Sequence, residues 1–196
     1  DLGALTDSAF SRGVKGVLDH GIIFVQSAGN QSPDYQSAQP DLLRDACDYS
    51  FGEKYPAVIV AGGIDEYDGR WTRRPALDPD DAQICVNNSG DCGSNAGSCV
   101  DIWAPAAHVL SSSKDGDNLT CRLSGTSMAA PHVTGVVALY LEDHPNATSS
   151  EVEKALRSRG TWNVLESDSQ NPNYIGPASD NVVLNADTLS LGPDLA

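Results

Sequence analysis

Along the first third of the chain, an amphipathic segment precedes two continuous apolar runs. Apolar residues first recur at the spacing of one helix face: Phe10, Val14, Val17 and Leu18. Thr6 is a suitable N-cap for that helix and Gly21 a suitable C-terminal cap. The runs at 22–28 and 57–62 are apolar and rich in β-branched residues, which is typical of strands buried on both faces. A helix followed by a buried strand predicts βαβ units and a parallel sheet, hence an α/β fold.

A longer apolar segment dominates the second half. Residues 127–141 are nearly all apolar or small, which predicts a helix buried on all sides, with Pro131 in its first turn or just beyond. Short strands are expected within "CVDIWAP" (99–105) and "HVLSSS" (108–113). "NVVLNADTL" (181–189) is expected to form an edge strand.

A surface helix is predicted near residue 150. The pairs Thr148 with Glu151 and Ser150 with Glu153 are overlapping capping-box spacings. Either one would start a helix that runs to about Arg157.

Two polar stretches interrupt the helix and strand pattern. Residues 31–54 carry scattered proline and glycine, and residues 71–98 consist of turn-forming sequence throughout. Both are longer than ordinary connections, so they are either functional loops or insertions held by disulfides. We see no internal boundary and expect residues 1–196 to belong to one domain.

The composition is acidic, with 27 Asp and Glu against 12 Lys and Arg and a formal net charge of −15. Such a charge argues against nucleic acid or an anionic membrane as a partner, because both attract positive surfaces. No apolar run approaches the ~20 residues that cross a bilayer. Part of the acidic excess could serve cations such as calcium, which prefers oxygen ligands.

Five cysteines are scattered along the chain without a C-x-x-C pair: Cys47, Cys85, Cys92, Cys99 and Cys121. Their spacing disfavours a zinc or thioredoxin-type site. Their number favours disulfides formed in an oxidising compartment, with one cysteine left over or paired outside the chain.

The stretch "SGTSMAAPHVTG" (124–135) places Ser127 at the start of the predicted apolar helix. Amide groups at a helix N-terminus can stabilise an oxyanion, and small neighbours such as Gly125 admit a substrate backbone. Serine is also a common helix cap. From these residues alone, Ser127 is either a nucleophile or a cap.

The order of residues in this stretch favours the nucleophile over the helix cap. "GTSMAAPHVTG" resembles the nucleophile motif of the subtilisin-like serine proteases, and "SAGN" (27–30) resembles their strand end that carries an oxyanion-binding asparagine. The resemblance implies that Ser127 is the nucleophile and that Asn30, with the Ser127 amide, binds the oxyanion. It is not the G-x-S-x-G motif of α/β-hydrolases, because position 129 is alanine.

The resemblance extends along nearly the whole chain and is nearest to the proteinase K and aqualysin branch. It implies a three-layer sandwich, a mainly parallel sheet flanked by helices, of which this chain lacks the N-terminal side. "DACDYS" (45–50) and "GSCVDIWAP" (97–105) resemble paired landmarks of the branch and imply a Cys47–Cys99 disulfide. Cys85 and Cys92 then pair within an inserted loop around 71–98, which leaves Cys121 free.

A calcium site is implied by the same branch. "YPAV" (55–58) and Asp101 match a site in which the carbonyls of Pro56 and Val58 and the carboxylate of Asp101 bind the ion. The alternative is that nearby backbone N–H groups satisfy Asp101.

The substrate groove is implied by two short segments. Leu2 and Gly3 resemble the segment that pairs with substrate as an added strand. Ala28 and Gly29 would lie opposite and flank the pocket for the side chain before the scissile bond, and their small size predicts a roomy, apolar pocket.

None of the four histidines suits the role of catalytic base. His20 lacks the family's H-G-T-x-V-A-G context, and His108 lies between predicted strands. His132 belongs to the serine motif, where the family has a structural histidine, and His144 ends the apolar helix. No D-[ST]-G motif occurs near the start either. We therefore expect the triad Asp and His upstream of Asp1, in a preceding part of the same catalytic domain.

The resulting hypothesis is a secreted serine endopeptidase that cleaves protein or peptide substrates through an acyl-enzyme on Ser127. We expect residues 1–196 to be its C-terminal portion and to be inactive in isolation. One alternative is a catalytically inactive, subtilase-like binding module. The other is an esterase, which the absent G-x-S-x-G disfavours.

Overall fold

The computed structural model describes residues 8–32, 44–72, 93–165, 175 and 179–186. Helix α1 spans Ala9–Asp19. Its N-cap is Ser8, whose hydroxyl accepts from the Ser11 N–H at 3.0 Å, so the prediction of Thr6 as N-cap was wrong. The C-terminal cap is confirmed, since Gly21 takes a φ of +70° and donates its N–H to the Leu18 carbonyl.

A five-stranded sheet forms the middle layer, in the order β1-β2-β3-β7-β6. The strands are β1 (Phe24–Ser27), β2 (Val58–Ile64), β3 (Ile102–Pro105), β6 (Thr161–Trp162) and β7 (Val182–Val183). β1, β2, β3 and β7 pair in parallel, and β6 pairs antiparallel with β7. The mainly parallel α/β fold predicted from the sequence is therefore confirmed.

Two strand predictions need correction. β1 is half-buried along its length, and β2 is its one strand neighbour in the described sheet, whereas β2 is buried throughout. The apolar run at 22–28 predicted a strand buried on both faces. Such burial requires helices or loops packed on each face, and the described residues do not bury β1 completely. β7 lies between β3 and β6, so it is not the edge strand that the sequence suggested.

The other helices are α2 (Thr126–Asp143) and α3 (Ser149–Arg159). α2 follows an antiparallel hairpin of β4 (Val109–Ser112) and β5 (Thr120–Leu123) and lies on β1, β2 and β3. Of the two predicted capping boxes, α3 uses Thr148 with Glu151. The helix ends at Arg159, two residues beyond the prediction.

Only one face of α2 is buried, which corrects the prediction of burial on all sides. The buried positions follow helical spacing: Thr126, Ala129, Val133, Val136 and Val137. On the opposite face Pro131 is exposed and Leu139 is 48% exposed. Small and apolar residues all round the helix therefore leave a surface uncovered by the described residues.

The core lies on both sides of the sheet. One cluster joins α2 and α3 to the strand faces that carry Ile59, Ala61 and Ile102. The other packs Val14 of α1 against Val60 and Trp103, with loop residues completing it. Helices on both faces of the sheet make the three layers that were expected.

A disulfide joins Cys47 to Cys99, as predicted, with Cα atoms 5.2 Å apart across 52 residues. Cys121 is a free thiol, also as predicted. Cys85 and Cys92 lie outside the described residues, as does most of the proposed inserted loop. No helix in the described ranges has the length and apolar character required to span a membrane.

Candidate active site

Ser127 is the second residue of α2 and is exposed to solvent. The helix is capped by Gly125, whose φ is +142° and whose N–H donates to the Ala106 carbonyl at 2.8 Å. Amides in the first turn of a helix have no intrahelical acceptor, so the Ser127 N–H is open to an external oxygen. Hydroxyl and amide of Ser127 thus lie at the positive end of the helix dipole.

Asn30 lies beyond the carboxyl end of β1 and is bonded to the residue before Ser127. Its Oδ1 accepts the Thr126 N–H at 2.9 Å and the Thr126 hydroxyl at 2.7 Å. Two donors on Oδ1 define which end of the amide is the oxygen, so Nδ2 is the end directed away from Thr126. No acceptor for Asn30 Nδ2 is recorded among the described residues.

The same two segments meet through a further hydrogen bond and a close approach. Gly29 donates its N–H to the Thr126 hydroxyl at 3.2 Å. A Cβ on Gly125 would lie 3.3 Å from Asn30 Nδ2, so the asparagine amide lies directly beside the helix cap. Gly29 and Thr126, 97 residues apart in the chain, are therefore in direct contact at the start of α2.

Of the residues predicted to flank the substrate, two are described. Ala28 is fully buried and Gly29 is half-buried, with a φ of +96°. Both lie next to Asn30 at the end of β1. Leu2 and Gly3 lie outside the described residues.

All four histidines are described, and no hydrogen bond recorded there joins one of them to Ser127. His20 contacts the Gly16 carbonyl through Nδ1 at 2.7 Å, and His132 contacts the Met128 carbonyl in the same way at 2.7 Å. His108 Nδ1 lies 3.8 Å from Glu66.

His144 packs against Tyr140 with ring centroids 4.4 Å apart and the two rings tilted by 40°. The contacts of His20, His132 and His144 lie within or at the ends of their own helices.

The predicted calcium ligands lie at the opposite, amino-terminal edge of the sheet. Asp101 directly precedes β3, and its Oδ2 accepts the Val60 N–H at 2.7 Å. Its backbone N–H donates to the Val60 carbonyl at 3.0 Å. One backbone N–H thus satisfies one carboxylate oxygen, and no partner of Oδ1 is recorded in the part of the chain that the structure describes.

Burial raises the pKa of the Asp101 carboxyl to about 7, and Glu153 and Asp180 add to this. The Val60 N–H and the Arg157 guanidinium act in the opposite direction. A desolvated carboxylate with one open oxygen is a favourable ligand for a cation, whereas Glu153 and Asp180 are both paired with Arg157.

The strand register places one predicted carbonyl ligand on the Asp101 side. Along a parallel strand, alternate residues direct their C=O groups to the same neighbouring strand. The Ala61 carbonyl faces β1, where it accepts from Ala28, and the Val60 carbonyl faces Asp101. Val58, two residues before Val60, shares its direction, and Pro56 lies two residues further back. The Asp101 carboxylate and the Val58 carbonyl thus suit an oxygen-ligated ion, whereas Pro56 lies in the turn before β2, where strand alternation does not define the direction of its carbonyl. No group of three or more His, Cys, Asp or Glu side chains gathers in the described ranges.

Two residues of the site were missed at the level of the sequence. Thr126 belongs to the quoted serine motif, but its contacts to Asn30 depend on a loop brought from elsewhere in the chain. Asn95 lies in a turn-rich stretch that carries no signal of its own, yet it is completely buried against the end of β1.

Comparisons with known proteins identify one family over most of the chain. The model of the subtilase family matches residues 4–174. The chain is 33% identical over 165 residues to an extracellular serine proteinase of Thermus sp. (strain Rt41A), an alignment of 84% of this chain and 32% of that protein. It is 32% identical over 160 residues to alkaline serine exoprotease A of Vibrio alginolyticus, covering 82% of this chain and 24% of that one.

A solved structure is also similar. The crystal structure of a cold adapted subtilisin-like serine proteinase superposes with a TM-score of 0.64 at 29% identity, covering 92% of this chain and 50% of that one. The chain thus spans about half of that protein and a third or less of these two relatives.

Proposed function

The chain belongs to the subtilase family of serine proteases, and on that premise we propose that the protein is a serine endopeptidase with Ser127 as its nucleophile. The Ser127 hydroxyl attacks the peptide carbonyl while a base takes its proton, giving a tetrahedral intermediate. Its oxyanion accepts hydrogen bonds from Asn30 Nδ2 and the Ser127 N–H. Collapse releases the amine and leaves an acyl-enzyme on Ser127, which water then hydrolyses.

One observation carries this proposal: Thr126 holds the Asn30 side chain by its oxygen immediately before Ser127. An amide held in this way presents its N–H donors without having to reorganise as charge develops on the substrate. If Ser127 were only a helix cap, its hydroxyl would accept from a first-turn amide, and no such hydrogen bond of Ser127 is recorded in the described structure.

The triad Asp and His are proposed to come from sequence upstream of Asp1. The four histidines of this chain contact other groups, and solved and curated relatives extend well beyond the aligned region. The preceding part of the same catalytic domain is the proposed partner, and residues 1–196 alone are proposed to be inactive. The outer face of α2 and the outer edge of β1 offer it a surface.

A cavity of about 360 Å³ lies where this surface meets the β4–β5 hairpin. Met128, Pro131 and His132 line its α2 side, and Leu123 and Cys121 line its hairpin side. It lies beside the first turn that carries Ser127, which is a suitable position for an element that delivers the base.

The substrate is proposed to be a protein or peptide chain. The half-buried Gly29, with the fully buried Ala28 behind it, would flank the pocket for the side chain before the scissile bond, opposite Leu2 and Gly3. The backbone of Leu2 and Gly3 would pair with the extended peptide, because the backbone groups of Ala28 and Gly29 already form hydrogen bonds within the chain.

Calcium is proposed as a structural ion bound by the carbonyls of Pro56 and Val58 and by the Asp101 carboxylate. It would neutralise a buried acid and join the starts of β2 and β3, far from the chemistry. Extracellular location is also proposed, because relatives are named as extracellular proteases and the Cys47–Cys99 disulfide suits an oxidising compartment.

The test is active-site labelling of the full-length gene product. A fluorophosphonate probe should label the protein, and Ser127→Ala should abolish labelling and casein hydrolysis. Asn30→Ala should lower kcat by about 10²–10³, the loss measured for such a donor in a subtilisin. Equal labelling of Ser127→Ala would refute the nucleophile.

The same preparation separates the alternatives. Absence of Asp and His motifs upstream, with no labelling, would establish the inactive binding module. Turnover of activated esters without turnover of peptides would establish an esterase. Clear Ser127-dependent hydrolysis of casein by residues 1–196 alone would overturn the proposed origin of the base.

A further inference from the structure

Asn95 is a fully enclosed polar residue at the end of β1. Its side chain is fully buried, although it belongs to a turn-rich stretch outside any regular element. A buried amide is costly unless all of its hydrogen-bonding groups are satisfied. The partners of this amide therefore show what it is there to hold.

Those partners lie on both sides of Asn30. Asn95 Nδ2 donates to the Ala28 carbonyl at 2.9 Å, and Asn95 Oδ1 accepts the Gln31 N–H at 3.0 Å. The backbone N–H of Asn95 donates to the Gly29 carbonyl at 2.9 Å. One residue thus bonds to the backbone directly before and directly after Asn30.

We call the hydrogen bonds of Asn95 to Ala28, Gly29 and Gln31 the Asn95 clamp, and two further hydrogen bonds strengthen it. Nδ2 also donates to Gln31 Oε1 at 2.8 Å, and Oδ1 also accepts the Ser32 hydroxyl at 3.4 Å. The approach is close enough that a Cβ on Gly29 would lie 2.5 Å from Asn95 Nδ2. Asparagine suits the position because one short side chain supplies two donors and an acceptor.

Hydrogen bonds of the neighbouring Ser94 fix the position of the Asn95 clamp. The neighbouring Ser94 is fully buried, its carbonyl accepts from the buried Arg70 guanidinium at 2.9 Å, and its hydroxyl accepts the Gly63 N–H at 3.0 Å. Gly63 belongs to β2, in the centre of the sheet. Through Ser94 and Asn95, the loop that carries Asn30 is therefore connected by hydrogen bonds to the central strand β2.

We propose that Asn95 is a positioning residue for the oxyanion-binding Asn30: Thr126 orients the Asn30 side chain, and Asn95 sets the backbone from which it projects. This inference rests on the proposed function. A donor displaced by about 1 Å can cost on the order of 10² in rate, so loosening the clamp reduces turnover even when Ser127 and Asn30 are intact.

The experiment is a double-mutant cycle in the full-length gene product, with kcat expressed per fluorophosphonate-titrated site. Counting titrated sites removes the contribution of misfolded molecules. Asn95→Ala should lower kcat at least tenfold in the wild-type background. In the Asn30→Ala background the same change should cost less than threefold, because the donor that it positions is already absent.

Asn95→Asp and Asn181→Ala are the matched comparisons. Aspartate keeps the size and the acceptor but loses the donors to Ala28 and Gln31, so it should not restore kcat. Asn181 is a similar clamp at a distance, bonding both backbone groups of Leu165 at 3.0 Å, and its loss should leave kcat per site unchanged. If Asn95→Ala gives no titratable sites, Asn95→Ser is measured in the same cycle.

The outcomes separate the two proposals. Equal loss in both backgrounds, or a loss below twofold, would overturn the positioning role while Ser127-dependent activity upholds the endopeptidase. Absence of Ser127-dependent activity in the wild type would instead overturn the proposed function itself.

Discussion

The side-chain oxygen of Asn30 accepts both the amide N–H and the hydroxyl of Thr126, the residue that precedes Ser127. The Thr126 hydroxyl also accepts the Gly29 N–H. This threonine therefore connects the end of β1 to the start of α2 and orients the amide proposed to bind the oxyanion. Its hydroxyl can be removed by substitution while the Ser127 and Asn30 side chains themselves stay unchanged.

Thr126→Val should lower kcat about tenfold with a small change in KM, while Thr126→Ser should retain most of the activity. Valine deletes the hydroxyl at similar volume and removes its hydrogen bonds to Asn30 and Gly29, each worth about 0.5–1.5 kcal/mol. Steady-state kinetics on a peptide substrate provides the measurement. Thr134→Val is the control, because that hydroxyl donates to the Ala130 carbonyl on the exposed part of the same helix. Equal kcat for the valine and serine variants would contradict the role of the hydroxyl.

Calcium removal should lower thermal stability through Asp101. An ion at a hundredfold excess over its Kd stabilises by about 2.7 kcal/mol, or about 5–10 °C in Tm for a chain of this size. We expect a chelator to lower the Tm of the wild type and to leave that of Asp101→Asn nearly unchanged. Asp115→Asn, at an exposed site, should respond as the wild type does. An equal chelator effect on both variants and the wild type would place any bound ion elsewhere.

Much of the fold followed from the sequence because local pattern and global structure agree there. The buried run that forms β2, the amphipathic α1 with Gly21 behind it, and the Thr148–Glu151 capping box each occur where expected. The errors concern burial. A continuous apolar run such as β1 shows that both faces of a strand can be buried. Whether they are buried depends on elements from other parts of the chain, which the run itself does not encode.

The site divides in the same way. Ser127 and Asn30 were predicted because each belongs to a short string with a distinctive order of residues, and in the structure they lie at adjoining ends of α2 and β1. Asn95 was missed because its partners are backbone groups of residues 64 to 67 positions earlier. No local pattern encodes such partners, so only the folded chain reveals them.

The Cys47–Cys99 disulfide should stabilise the region behind Asn95. It joins the 3₁₀ turn Ala46–Asp48 to the segment that follows Ala96, where the Ala46 N–H donates to the Ala96 carbonyl at 2.6 Å. Replacing both cysteines by alanine should lower the free energy of unfolding by about 2–4 kcal/mol, measured by denaturant titration. Cys121→Ala removes a free thiol and should have little effect. A double variant as stable as the wild type would show that the hydrogen bonds alone hold this region.

Gly29→Ala should impair both stability and turnover, since the residue has a φ of +96° and lies against the Asn95 amide. An alanine Cβ there would lie 2.5 Å from Asn95 Nδ2 and from Gln31 Oε1, so the clamp would have to move away from the loop that carries Asn30. We expect kcat per titrated site to fall at least tenfold and Tm to fall with it.

The matched control is Gly13→Ala in α1, where an added Cβ meets nothing within 4 Å. That substitution should raise stability by about 0.5–1 kcal/mol and leave kcat unchanged. Wild-type kcat in Gly29→Ala would show that the loop tolerates displacement and that the close approach of Asn95 has no part in turnover.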